Sequence, residues 1–182
     1  MTYEVETKVL NIDAAALEGH MQQLGAIEIL RTRLTVDWFR PAGDEEGETP
    51  WYLRIRTNSQ GISEVTWKGQ STVLGAARKH REINVKVADA TSAAALFEVL
   101  GFELYAHQEK DRISWTYQDW KFELDQYPGM PPYLEIEGRD EAHIQEALVL
   151  LQLKNNPVSA EGERVLIQQT YGLNWYDMRF TK

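Results

Sequence analysis

The chain has 182 residues, 43% of them hydrophobic and 10% aromatic, which is enough for one packed domain and short for two. Its 28 acidic against 19 basic residues leave a formal net charge of -9, which argues against a broad nucleic-acid surface, because phosphate-backbone binding needs a basic face. Cysteine is absent, and the four histidines (His20, His80, His107, His143) lack metal-ligand spacing, so disulfides and thiolate-bound zinc are excluded and any metal is expected on oxygen. No apolar run approaches the roughly 18 residues of a membrane span, and Met1-Thr2-Tyr3-Glu4 lacks the layout of a signal peptide. The expectation is a single domain over 1–182, with no membrane partner, in the cytoplasm.

Taken in chain order, segments with β-branched and aromatic enrichment and alternating polarity predict eight strands, at about 2–10, 28–39, 51–58, 62–69, 80–87, 102–116, 119–127 and 132–138. Helices are predicted from Asp13 to Leu24 with Gly25 as stop, from Thr91 to Leu100 with Gly101 as stop, from Asp140 to Leu153 and from Ser159 to Tyr171. The first two helices share a frame, since Asp13 to Gly25 and Asp89 to Gly101 are equally long and both end Leu-Gly. This points to a strand-helix-strand duplication at an offset of 76 residues. Loops are read at 43–50, where the acidic residues suit a solvated turn, at 69–77 and at 127–132.

Strand side chains alternate faces, and here one face is charged on six strands. Glu4, Glu6 and Lys8 share a parity, as do Arg54 with Arg56, Glu64 with Thr66 and Lys68, and Lys110 with Arg112 and Ser114. Lys121, Glu123 and Asp125 oppose Trp120, Phe122 and Leu124, while Tyr133, Glu135 and Glu137 oppose Leu134 and Ile136. An ordinary antiparallel sheet also turns polar residues to solvent. With four amphipathic helices available to cover the apolar face, the charged face is instead read as the lumen of a closed barrel, where eight strands leave room for one small ligand. The predicted class is α+β: a closed antiparallel eight-stranded β-barrel with flanking helices. Its basic groups suit phosphate oxygens, and clustered carboxylates suit a hard cation, Mg²⁺ or Mn²⁺. A structural salt-bridge lattice is the competing explanation. Trp67, Trp115 and Trp120 lie on the apolar parity, beneath the helices. Trp38 and Trp51 have no clear place. Trp175 and Tyr176 either cap a barrel end or meet a partner subunit, as in a homodimer.

These motifs, in order, resemble the CYTH superfamily, or triphosphate tunnel metalloenzymes, which includes class IV adenylate cyclases, thiamine triphosphatases and inorganic triphosphatases. The resemblance rests on Glu-x-Glu-x-Lys at 4–8, Asp37-Trp-Phe39, Leu-Arg-Ile-Arg at 53–56, Thr-Trp-Lys-Gly at 66–69 and Arg81-Glu82. It continues through Lys-Asp-Arg at 110–112, Leu124-Asp125 and Leu-Glu-Ile-Glu at 134–137. It implies a tunnel in which Glu4, Glu6, Asp125, Glu135 and Glu137 hold or adjoin metal, and Lys8, Arg54, Arg56, Lys68, Arg81, Lys110 and Arg112 hold phosphate. Glu4, Glu6, Lys8, Lys68 and Arg112 would form the catalytic set. At 81–83 the chain has Arg81-Glu82-Ile83 where the family often has Arg-x-Glu. Either a bulge turns Arg81 inward, or His80 and Glu82 line the lumen instead. The leading functional expectation is metal-dependent hydrolysis of a small triphosphate (inorganic, thiamine or nucleoside). The alternatives are cyclisation of ATP to cyclic AMP and pyrophosphate, and non-catalytic binding of polyphosphate or nucleotide.

Overall fold

A computed structural model describes residues 2–45 and 48–181; Glu46 and Gly47, part of the acidic loop at 43–50, lie outside the described residues. In chain order the elements are β1 (Thr2–Val9), α1 (Ala14–Leu24), β2 (Ile27–Pro41), β3 (Tyr52–Asn58), β4 (Ser63–Lys68), β5 (Thr72–Leu74), β6 (Ala77–Val87) and α2 (Ala90–Val99). They continue with β7 (Phe102–Tyr117), β8 (Trp120–Gln126), β9 (Tyr133–Gly138), α3 (Glu141–Leu150), β10 (Val158–Ser159), α4 (Glu163–Val165), a π-turn (Leu166–Thr170) and β11 (Asp177–Met178).

Eight strands pair in the order β1-β9-β8-β7-β2-β3-β4-β6, and β6 returns to pair with β1, which closes the barrel with every ladder antiparallel. Closure leaves the barrel without free edges. The eight strands match those read from the sequence, with one consequential difference: β6 begins at Ala77, not at 80. Three short strands go beyond that reading: β5, inside the expected loop at 69–77, and β10, at the start of the expected last helix, pair with β6 and β1, and β11, beyond that helix, pairs in parallel with β7. The helix expected over Ser159 to Tyr171 resolves into β10, α4 and the π-turn. No helix among the described residues is long and apolar enough to cross a membrane.

The helices sit where their caps place them. Asp13, Asp89 and Asp140 each accept a hydrogen bond from an amide of the first helical turn, on Ala16, Ser92 and His143 respectively. Gly25 ends α1 at φ 73° and Gly101 follows α2 at φ 87°, left-handed positions that exclude most side chains. Packed beneath α1 and α3, the outer face of the barrel forms the main core: Val5, Val9, Leu17, Met21, Trp115, Trp120, Phe122, Leu134, Ile136 and Ile144 are all buried. The short helix α2 covers Phe39, Leu53 and Ile55 through half-buried Ala93, Ala94 and Phe97, and none of its own residues is fully buried. Trp67 lies under α2 and Trp115 and Trp120 under the other two helices, as their parity requires.

The strand-helix-strand duplication is present in the pairing itself. Glu4 faces His80 across the β1–β6 seam and Leu34 faces Lys110 across β2–β7, both 76 residues apart, so one pseudo-two-fold axis passes through both seams. Following register outward, Trp38 pairs Arg54, whereas its counterpart Ser114 pairs Glu123; likewise Lys68 of β4 corresponds to Glu137 of β9. At these positions the repeat keeps the backbone and puts an acid where the first half has a base.

Truncating Phe122, which is fully buried between the barrel and its helices, is expected to cost about 3–5 kcal/mol. Leu96→Ala on α2, where Leu96 is 55% exposed, should stay within about 0.5 kcal/mol. Urea unfolding of both variants checks this; equal losses would contradict the asymmetry between the helix layers.

A charged tunnel as the candidate functional site

Side chains of the inward parity line the barrel, and an array of them is buried: Glu6, Lys8, Arg54, Thr66, Lys68, Arg78, His80, Glu82, Lys110, Arg112, Glu123, Asp125 and Glu135. Such density of buried ions requires pairing. Arg78 donates through Nε to Glu6 at 2.7 Å, and Lys8 lies 3.0 Å from Glu135. Arg112 donates through Nε to Asp125 at 2.6 Å and also contacts Glu123. Lys110 is held between Asp125 at 2.9 Å and Glu163 at 2.5 Å, and the Tyr133 hydroxyl donates to Glu163 at 2.8 Å. Glu163 comes from α4, whose residues also line the cavity.

Above this lattice opens a cavity of about 570 Å³. Of the residues expected at the site, Glu4, Arg54, Arg56, Lys68, Arg112, Glu135 and Glu137 line it. Glu6, Lys8, Lys110 and Asp125 lie behind its wall, buried in ion pairs. Arg81 is a correction. Its neighbours His80 and Glu82 are buried inside, and its own guanidinium sits on the outer face, 5.8 Å from the Trp67 ring, so no bulge turns it inward. Simple alternation wins because the β6 register with β1 and β4 is unbroken from Arg78 to Val87.

Arg54 stands apart from the lattice. It is only 6% exposed, its Nε has no hydrogen-bond partner, and it makes no ion pair among the described residues; its guanidinium lies 5.3 Å from the Trp38 ring. Burial alone lowers its affinity for a proton, yet the more distant Glu163 and Glu82 hold it above its ordinary value. It is a fixed, desolvated cation facing open space.

The carboxylates are tuned unequally. Burial and the Glu135 charge push the Glu6 carboxyl up, but Lys68, Arg78 and Lys8 outweigh them and hold it at about 2. Burial also opposes ionisation of Glu123, which Arg112 and Lys121 bring down to about 2. Glu137 goes the other way. Burial and then the Glu123 charge push it up to about 8, because Lys121, which also lies 2.8 Å from Glu123, cannot neutralise both.

Two groups of donors converge closely enough to hold a metal ion: Glu4, Glu6 and His80, and Asp125, Glu135 and Glu163. The five carboxylates expected to bind metal are therefore divided between two places, with Glu137 in neither group. In the second group Asp125 and Glu163 are committed to Lys110, Arg112 and Tyr133. In the first, Glu6 Oε2 and His80 Nδ1 are buried without a hydrogen-bond partner, and this set fits a divalent cation.

Four charged residues of the site carried no role in the sequence reading. Arg78 fell between the loop read at 69–77 and the strand read at 80–87, Glu163 comes from a helix, Glu123 shared the inward parity without an assigned role, and Lys121 did the same. Part of the cavity wall is aromatic. Trp38, Trp51, Tyr52, Tyr105, Trp175 and Tyr176 line it, with the Trp38 and Trp175 rings 5.1 Å apart, so the structure brings Trp175 and Tyr176 to the cavity.

A family model, CYTH domain, matches residues 2–165. No curated protein matches the chain. Among solved structures, the PH1012 protein of Pyrococcus horikoshii is 22% identical, with a TM-score of 0.73 over 87% of this chain and 96% of that one. A proposed adenylate cyclase of Vibrio parahaemolyticus is 16% identical, with a TM-score of 0.68 over 100% of this chain and 95% of that one. A Hippeastrum protein described as a proposed adenylyl cyclase with dominant triphosphatase activity is 14% identical, with a TM-score of 0.66 over 94% and 96%. At such identities the likeness is one of fold.

The raised carboxyl of Glu137 sets a pH dependence. Its stabilising contribution is complete below the unfolded value of 4.5 and is lost as pH rises through about 8, since over that window the folded state holds a proton the unfolded state has released. Relative to the wild type, Glu137→Gln should gain thermal stability between about pH 5 and about pH 8. Unfolding midpoints across that range check this; a constant offset would refute it.

Proposed function

The chain belongs to the CYTH domain family, and from that premise we propose that it is a divalent-metal-dependent enzyme that hydrolyses a small triphosphate inside its barrel. The observation that carries this reading is Arg54: a buried guanidinium without an ionic partner among the described residues, facing a cavity that Lys68, Arg56 and Arg112 also line. Leaving such a charge unpaired is costly, and a phosphate oxygen entering the cavity supplies what it lacks. An anion there is desolvated and held by groups already fixed in place, which is where electrostatic stabilisation of a transferring phosphoryl group is strongest.

In this proposal Arg54 and Arg56 hold phosphate oxygens from β3, while Lys68 and Arg112 do so from the neighbouring β4 and from β7 across the lumen. A water oxygen attacks the terminal phosphorus in line; the bond to the bridging oxygen breaks and its electron pair leaves with the shortened phosphate chain. The metal, Mg²⁺ or Mn²⁺, would neutralise phosphate oxygens from the carboxylate side. The aromatic part of the cavity wall offers a stacking surface for an organic group, favouring a thiamine or nucleoside triphosphate over the inorganic one. The same surface would accept an adenine ring, and this favours a second reading, cyclisation of ATP. The triphosphatase activity described for the Hippeastrum protein of the same fold is in keeping with the first.

Incubating the protein with ATP, thiamine triphosphate and inorganic triphosphate, each with Mg²⁺ or Mn²⁺, should release orthophosphate; cyclic AMP with pyrophosphate would replace the hydrolase reading by the cyclase one. Arg54→Leu is expected to lower kcat/KM on the order of a hundredfold while preserving the fold. Turnover unchanged in that variant would remove Arg54 from the site.

A further inference from the structure

The histidines are dispersed in the sequence, but closure of the barrel brings one of them against the N-terminal carboxylates. Glu4 and His80 face each other across the β1–β6 seam, with His80 Nε2 lying 3.3 Å from Glu4 Oε2, and the donor atoms of Glu4, Glu6 and His80 all fall within 4.8 Å of one another. His80 is 1% exposed. The pseudo-two-fold gives this an internal logic: at the offset of 76 residues His80 stands where Glu4 stands in the first half, and Glu82 where Glu6 stands. His-x-Glu is thus the second half's version of Glu-x-Glu, and the two donor pairs meet.

A cation already lies among these donors. The Lys68 ammonium is 2.6 Å from Glu82, 3.2 Å from Glu4 and 3.5 Å from Glu6. Glu82 holds the ammonium closely, whereas Glu6 Oε2, buried and 3.5 Å from it, and the buried His80 Nδ1 have no hydrogen-bond partner among the described residues, so the ammonium neutralises the cage without satisfying all of its donors. A divalent ion binds oxygens without needing directed N–H donors and carries twice the charge. Lys68 also lines the open cavity, and its long stem lets the ammonium move from the cage toward a bound anion.

We propose that Glu4, Glu6 and His80 ligate the divalent cation, that the Lys68 ammonium holds the place of this ion until one binds, and that the imidazole nitrogen tilts the site from Mg²⁺ toward Mn²⁺. This rests on the metal-dependent reading above and deepens it. Mg²⁺ takes oxygen ligands in a strict octahedron, whereas Mn²⁺ stands on the series in which nitrogen donors increasingly favour transition metals. Glu82, closest to Lys68, retains the ammonium at the rim as it withdraws, so that filling the cation site delivers a phosphate ligand to the cavity.

The test is Mn²⁺ titrated into the metal-free protein without substrate and followed by electron paramagnetic resonance. Bound Mn²⁺ is expected to show coupling to an imidazole nitrogen. His80→Asn should abolish that coupling and weaken Mn²⁺ binding by roughly tenfold or more, while Mg²⁺ binding, measured by competition, changes less. Lys68→Met, which removes the competing ammonium, should tighten Mn²⁺ binding. Bound wild-type Mn²⁺ without nitrogen coupling overturns the assignment, and this measurement stands even if a variant fails to fold. Mn²⁺ bound without coupling, alongside metal-dependent turnover, sinks this site and leaves the hydrolase reading intact; metal-independent turnover with coupled Mn²⁺ does the reverse.

Discussion

A barrel with ions on its inner face holds together only if buried charges meet opposite charges, because a desolvated ion left alone costs several kcal/mol. That constraint organises the interior. Lys8 bridges β1 to Glu135 on β9, Arg78 bridges β6 to Glu6, Arg112 spans from β7 to Glu123 and Asp125 on β8, and Lys110 ties β7 to Asp125 and to Glu163 of α4. Most of these pairs link neighbouring strands, so the lattice repeats side chain by side chain the closure that the backbone ladders make. It also fixes the outside: with charges inward, Trp115, Phe122, Leu134 and Ile136 must point outward, and α1 and α3 are needed to cover them.

Against that background, incompletely satisfied groups carry the functional argument. A lattice serving stability alone would leave no cation like Arg54 and no carboxylate oxygen like Glu6 Oε2 without a partner among the described residues. Arg54 faces the cavity; the Glu6 and Glu82 oxygens surround the Lys68 ammonium. One place is short of negative charge, and the other leaves a carboxylate oxygen unsatisfied. A triphosphate with a divalent ion, as proposed above, would supply both deficits.

Much of this was legible in the sequence, because period-two alternation survives in strands whose two faces differ as sharply as Lys121-Glu123-Asp125 and Trp120-Phe122-Leu124. The inward parity of Arg54, Lys68, Arg112 and Glu135 followed from it directly. What escaped depended on contacts distant in sequence. Ala77-Arg78-Lys79 has no β-branched residue to mark a strand, and β1 and β5 on either side recruit it into β6. Glu163 reaches Lys110 from a helix end, which no strand pattern announces. Arg81 and His80 could not be sorted by motif, since the family pattern and the alternation disagreed; register with β1 decided for alternation. The histidines look dispersed in the sequence, and only closure of the barrel places residue 80 against residue 4.

The duplication explains how one barrel carries a basic wall and an acidic one. Two identical halves closing on a two-fold axis would put like charges on corresponding strands, so neither wall could differ in sign from its counterpart. Here the second half carries Glu123 and Glu137 where the first carries Arg54 and Lys68, so the hairpin β3–β4 forms a basic wall and β8–β9 an acidic one. At the β1–β6 seam Glu82 repeats Glu6 while His80 replaces Glu4, and there the carboxylates of both repeats enclose the Lys68 ammonium. The basic wall and the carboxylate-rich seam are therefore separate consequences of one repeat: the wall from where the halves diverged in charge, the seam from where both kept a glutamate. Lys68, on the basic wall but reaching into the seam, is the residue through which the two are coupled.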